Sequence, residues 1–172
     1  VFGGGGSDDL YGQGGNDKLL GEADDDHLRG NSGDDVLIGG LGNDLLFGGN
    51  DDDLLIGVQV ESLTPGQGEI DTYKGGQGAD TFVLGDALGV HYSDGDVQSM
   101  GFDDYALLKD FNLDQQDIIR LHGSAEFYEL GAIQGSTAIF YQAMDQMVEL
   151  IGIVQNVTGL DLTSTAFEYA TV

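Results

Sequence analysis

The chain has no cysteine among its 172 residues. Disulfides and thiolate metal sites are therefore excluded together, and stability outside a reducing compartment has to come from another source. Basic residues are nearly as scarce: Lys18, Arg29, Lys74, Lys109 and Arg120 stand against 31 acidic residues, for a formal net charge of −26. Nucleic-acid binding relies on Lys and Arg to displace counterions from phosphates, and five cations scattered along the sequence argue against it. No run approaches the roughly twenty apolar residues that a membrane-spanning helix requires. Catalytic groupings are missing too. His27, His91 and His122 have no nearby Cys or GxSxG-like serine, each reads as a solvated side chain, and the chain reads as a non-enzyme with no catalytic residue.

What the sequence does have is a period. From Gly3 it repeats every nine residues, as GGGGSDDLY, GQGGNDKLL, GEADDDHLR, GNSGDDVLI, GGLGNDLLF, GGNDDDLLI, GVQVESLTP, GQGEIDTYK and GGQGADTFV, ending at Val83. The sixth place holds Asp8, Asp17, Asp26, Asp35, Asp44, Asp53, Ser62, Asp71 and Asp80, and the eighth Leu10, Leu19, Leu28, Leu37, Leu46, Leu55, Thr64, Tyr73 and Phe82. The unit at residues 57–65 keeps the length of nine although it has lost its aspartate. A fixed period marks a solenoid, because a unit unable to bury its one apolar residue must stack on its neighbours. Nine residues suit a six-residue turn and a three-residue strand whose central side chain points inward. The competing reading of a glycine-rich linker does not account for leucine at every ninth residue.

The glycines supply the positive-φ conformations of a tight turn whose carbonyl oxygens converge. Asp24 and Asp51 stand at the fourth place in two units, and aspartate tolerates the left-handed region. Carbonyls and a carboxylate make a hard oxygen cage suited to calcium, which takes six to eight such ligands, whereas zinc wants Cys or His and magnesium a tighter octahedron. Without a counterion, stacked carboxylates repel one another, so the repeats are expected to be disordered until they bind metal, with binding and folding a single event.

The nonapeptide GGxGxDxUx, with U a large apolar residue, resembles that of the RTX (repeats-in-toxin) family. The resemblance covers residues 3–83 and implies a parallel β-roll: units alternate between two sheets, eighteen residues complete a turn, and calcium lies between turns two units apart. It implies ligands from Asp8, Asp17, Asp26, Asp35, Asp44, Asp53, Asp71 and Asp80, with loop carbonyls from Gly3, Gly5, Gly12, Gly14, Gly21, Gly30, Gly39 and Gly48. The implied pairs are Asp8 with Asp26, Asp26 with Asp44, Asp17 with Asp35, Asp35 with Asp53 and Asp53 with Asp71, which is about five Ca²⁺ ions. Sites through Ser62 lack a carboxylate, and Glu69 is a candidate extra ligand on the last site of the second edge, that of Asp53 with Asp71.

Residues 84–172 lack the period. Strand-length apolar runs at 105–111, 117–121, 127–130, 137–141, 147–154 and 166–171 follow a polar stretch at 85–104. The expected fold is all-β: a parallel β-roll over residues 1–83, then a mostly antiparallel, sandwich-like β cap over 84–172 that covers the open end of the roll. GADTFVL, DYALLKDF, DIIRLHG and the terminal AFEYA resemble the carboxy-terminal segments of secreted bacterial and cyanobacterial RTX proteins. That resemblance implies secretion, type I secretion machinery as a partner and a signal in roughly the last fifty residues. Val1 and Phe2 fit the eighth and ninth places of a preceding unit and read as the continuation of a larger parent protein with upstream domains. Leu20, Val36, Ile38, Leu54 and Ile56 should form an outward apolar strip, covered by the chain itself or by another copy. Asp94 and Asp96, or Asp103, Asp104, Asp110, Asp114 and Asp117, offer an extra calcium site, against which a solvated acidic loop is the preferred reading.

The function expected from this sequence is a calcium-binding module that folds on meeting calcium outside the cell and supports export and stability of its parent. The alternatives are a structural, adhesive or surface-layer spacer, and an accessory module of a secreted hydrolase or polysaccharide epimerase.

Overall fold

A computed structural model describes residues 1–59, 65–93, 103–143 and 147–171. From its second to its sixth unit each nonapeptide supplies a six-residue turn and the head of one strand. The strands are β1 (Phe2–Gly5), β2 (Asp9–Gly14), β3 (Lys18–Ala23), β4 (His27–Ser32), β5 (Val36–Leu41), β6 (Leu45–Asn50), β7 (Leu54–Val58), β8 (Ile70–Gln77) and β9 (Thr81–Val83). Beyond the repeats come β10 (Tyr105–Leu108), β11 (Ile118–His122), β12 (Tyr128–Ile133), β13 (Ser136–Ala143), β14 (Met147–Val154) and β15 (Phe167–Ala170).

These strands form two facing sheets. One runs β1-β3-β5-β7-β9-β11-β15, the other β12-β13-β14-β10-β8-β6-β4-β2. Parallel registers put eighth-place residues on one another: Leu10, Leu28 and Leu46 in one sheet, Leu19, Leu37 and Leu55 in the other. All six are buried, and with Tyr73 and Phe82 they form the core between the sheets. The parallel β-roll is thus the architecture of the repeats.

Backbone conformation explains the turns. Positive φ recurs at the second and fourth places: Gly4 and Gly6, Gln13 and Gly15, Glu22 and Asp24, Asn31 and Gly33, Gly40 and Gly42, Gly49 and Asp51. Asp24 and Asp51 adopt φ of 74° and 71°, as their place in the period predicts. The seventh unit carries Val58 and Val60 at those two places, where a β-branched residue is strongly disfavoured. The stack accordingly passes that unit over. Val58 extends β7, and β8, from the eighth unit, pairs with β6 of the fifth, Leu45 opposite Thr72. Ser62 and Thr64 lie outside the described residues.

The carboxy-terminal strands continue both sheets. β10 adds to β8 and β11 to β9 in parallel, and β14 and β15 extend them in parallel again. Among the described strands antiparallel pairing is confined to β12-β13-β14, with one isolated antiparallel bridge between Gly85 and Val90. The six strands from β10 onward fall on the six apolar runs, with ends shifted by at most three residues and β14 matching its run at both ends. Leu108 stacks on Tyr73 and Ile119 on Phe82, so the interior of the roll extends past the last repeat. The anticipated apolar strip is present as two rows on the outer face of the first sheet. Val36 lies beside Leu54, and Leu20, Ile38 and Ile56 lie side by side, each half-buried.

Candidate metal centre

Each turn brings its sixth-place aspartate under the turn before it. The N–H of Asp8 donates to Asp26 Oδ1 at 2.8 Å, that of Asp26 to Asp44 Oδ1 at 2.8 Å, and that of Asp44 to Asp71 Oδ1 at 2.7 Å. Along the other edge Asp17 donates to Asp35 at 2.8 Å, Asp35 to Asp53 at 2.9 Å and Asp53 to Asp80 at 3.0 Å. The expected pair of Asp53 with Asp71 does not form. Because the seventh unit is passed over, Asp71 belongs to the edge of Asp44, and Asp80 takes the position beneath Asp53.

Below the first aspartate of each edge, one carboxylate oxygen of each is used in this ladder. The second is left over: Oδ2 of Asp8, Asp26, Asp35, Asp44, Asp53 and Asp80 is buried with no hydrogen-bond partner. First-place glycines show where it points. A Cβ on Gly3 would lie 2.9 Å from Asp8 Oδ2 and 2.8 Å from the Gly21 carbonyl oxygen; on Gly12, 2.9 Å from Asp17 Oδ2 and 2.8 Å from the Gly30 carbonyl oxygen. Gly21, Gly30 and Gly39 face the same pair of oxygens, and Gly48 faces Asp53. First-place glycine is thus required for room rather than for φ. The third-place Gly5 and Gly14 have open space around their Cα atoms, and only their carbonyls are candidate donors.

A buried carboxylate oxygen facing a carbonyl oxygen, with no donor between them, is a site for a hard cation. Among the described residues no three His, Asp or Glu side chains converge on one point. Electrostatics state the same demand. Burial pushes Asp44 up to about 8, and Asp53, Asp71 and Asp80 up to about 7, with neighbouring carboxylates adding to the rise. Asp26 and Asp35 are raised for the same reason.

Fourth-place acids form a second ladder. The Gly6 N–H donates to Asp24 at 3.0 Å, Gly33 to Asp51 at 3.1 Å, and Gly42 to Glu69 Oε1 at 3.0 Å. Glu69 therefore stands on the Asp44 edge, not on the edge where the sequence put it.

The two edges end differently. Asp71 Oδ2 accepts from the Tyr92 hydroxyl at 2.5 Å, Tyr92 meets the Tyr73 hydroxyl at 2.7 Å, and Tyr73 accepts from the Gly57 N–H at 2.6 Å. Aromatic hydroxyls close that column. The other continues into the non-repeat half, where the Asp80 N–H donates to Asp117 Oδ1 at 3.1 Å and Gly75 donates to Asp110 Oδ1 at 3.0 Å. Of the acidic residues proposed for an extra site, these two reach the roll. Asp103 and Asp114 are exposed, Asp104 is buried, and Asp94 and Asp96 lie outside the described residues. The signal for Asp117 was present in sequence: NLDQQDIIR, residues 112–120, has Asp at the sixth place and Ile119 at the eighth.

A family model for the RTX calcium-binding nonapeptide repeat, in four copies, matches residues 2–37, 29–57 and 65–87. The chain carries RTX calcium-binding nonapeptide repeats in these segments. The matched segments of the RTX repeats omit residues 58–64, which belong to the unit that the stack passes over. The chain is also similar to the solution structure of the AlgE6R3 subunit from the Azotobacter vinelandii mannuronan C5-epimerase, at 23% identity over 81% of this chain and 69% of that one, with a TM-score of 0.24. No curated protein matches it.

The histidines are not all solvated as expected. His27 is exposed beside Asp9, but His91 is buried, its Nε2 3.4 Å from Asp86 Oδ2, and His122 Nδ1 lies 2.6 Å from the Asp86 carbonyl oxygen.

Proposed function

We propose that this chain is a calcium-dependent folding module of a secreted protein, and that its two aspartate ladders hold the ions. The observation that carries the reading is the row of buried, partnerless Oδ2 atoms. Bare, these oxygens oppose folding; bridged by a divalent ion, they join one turn to the next. The ligands are the sixth-place carboxylates named above with first-place glycine carbonyls. The junctions number seven, from Asp8–Asp26 to Asp44–Asp71 on one edge and from Asp17–Asp35 to Asp80–Asp117 on the other. That raises the ion count above the five inferred from the repeats alone.

In a calcium-poor cytoplasm the chain stays extended and passes a type I export channel. In millimolar calcium, where extracellular modules bind with dissociation constants of about 10⁻⁴ to 10⁻³ M, it folds. Each ion stabilises the folded state by about 2.7 kcal/mol when its concentration is a hundred times the dissociation constant. The module has no catalytic role of its own. Far-ultraviolet circular dichroism during a calcium titration tests the reading: a β spectrum should develop with calcium and not with magnesium. A full β spectrum in chelator at neutral pH would sink it. The half-buried apolar rows on the β3-β5-β7 face favour assembly into larger structures as a second reading, which predicts a size in calcium that rises with protein concentration.

A further inference from the structure

Three of the five basic residues, dispersed in sequence, are gathered by the fold. In the sheet that contains β2, β4, β6, β8 and β10, Tyr11 pairs with Arg29, Arg29 with Phe47 and Phe47 with Lys74. Leu108 pairs with Tyr73, and the Lys109 N–H donates to the Tyr73 carbonyl at 3.0 Å, which sets Lys109 beside Lys74. One row across five neighbouring chain segments therefore reads Tyr11, Arg29, Phe47, Lys74, Lys109. Each follows an inward residue, so each side chain points away from the core. Arg29, Lys74 and Lys109 are exposed, and Tyr11 is 46% exposed. At about 4.8 Å between strands the row is about 19 Å long.

Acids are nearly absent from this face. The adjacent outward row reads Asp9, His27, Leu45, Thr72, Leu107, and its one carboxylate lies 3.3 Å from His27. Arg29, Lys74 and Lys109 form no ion pair with a described residue. Arg29 lies over the Tyr11 ring at 5.6 Å, and Lys74 is within electrostatic reach of Asp110. On the other side of the row Asn31, Asn50 and Gln77 line a shallow groove with Phe47.

We propose that this face binds an acidic polysaccharide, a single chain laid across the strands. Its carboxylates meet Arg29, Lys74 and Lys109. Its sugar rings lie on Tyr11 and Phe47, which offer flat apolar surface, and its hydroxyls reach the amides of Asn31 and Asn50, which both donate and accept. The carboxylate-lined turn edges on either side select a narrow partner. A duplex or a lipid surface would be broad enough to meet those edges and be repelled, whereas a single sugar chain fits between them. This inference needs the roll to be folded but no particular number of ions.

The test is calorimetry with a uronic-acid octasaccharide in millimolar calcium. Circular dichroism on the same sample first establishes the fold, so a failure of calcium-coupled folding is seen separately. Wild type should bind saturably, and a neutral glucan of the same length should not. The triple variant Arg29→Gln, Lys74→Gln, Lys109→Gln should lose roughly ten- to hundredfold in affinity with its β spectrum intact, because each exposed ionic contact contributes a fraction of 1 kcal/mol to about 1 kcal/mol. Phe47→Ser should weaken binding without changing its salt dependence. Unchanged affinity in the triple variant would place the sugar on calcium at the turn edges and overturn the proposal. So would equal affinity for a single-stranded oligonucleotide, or no uronate binding by the folded wild type.

Discussion

The backbone N–H of Asp80 donates to Asp117 Oδ1 at 3.1 Å, the contact that Asp53 makes to Asp80 one turn earlier at 3.0 Å. A residue outside the repeats thus does the work of a sixth-place aspartate. Asp80 and Asp35 each serve two junctions, and Asp117 serves one. Asp80→Ala should therefore lose as much calcium affinity as Asp35→Ala, about two ions per chain, and Asp117→Ala about one. Metal analysis of the folded, desalted variants gives the count, and an Asp80→Ala protein with the full complement would show that this edge stops at Asp53.

Acid should replace calcium in part. Asp44, Asp53, Asp71 and Asp80 have folded-state values of about 8, 7, 7 and 7, above the ordinary 3.8. Folding without metal then takes up protons. Its stabilisation is complete below about pH 4 and is lost as pH rises through about 7 to 8. In chelator the β spectrum should grow as pH falls from 8 towards 4. In calcium the same protons compete for the carboxylates, so the calcium midpoint should rise as pH falls.

Glycine substitutions should separate room from backbone freedom. Gly30→Ala drives a Cβ into Asp35 Oδ2 and the Gly48 carbonyl, whereas Gly14→Ala meets nothing within 4 Å and its φ is not positive. The first should cost about 1–3 kcal/mol and displace an ion, and the second should be neutral within about 0.5 kcal/mol. Thermal melts at fixed calcium compare them.

Tyr92→Phe removes the hydroxyl that Asp71 Oδ2 and Tyr73 share. A buried carboxylate oxygen left without its donor costs about 1–3 kcal/mol, so the melting temperature in saturating calcium should drop. An unchanged melt would mean that a cation or water already satisfies Asp71.

The repeats announced the roll because their chemistry is local: spacing reports the turn, and the sixth and eighth places report the edge and the core. The pairing of distant units was less legible. Nothing in the nine-residue length of residues 57–65 reveals that no strand of that unit stands between β6 and β8; the clue is Val58 and Val60 at places that need positive φ, a steric signal rather than a periodic one. Asp117 was hidden because a degenerate unit keeps two places of nine. The gathering of Arg29, Lys74 and Lys109 was invisible, since they come together only through the register that the omitted unit sets.

That omission also fixes which sheet each downstream strand joins. The roll counts in twos: every unit added within the stack sends the remainder of the chain to the opposite sheet. Had residues 57–65 been threaded in, β8 and β9 would have exchanged sides, and β10 and β11 would have met foreign neighbours. Because β8 pairs directly with β6, the two-sheet alternation resumes in step after the irregular unit.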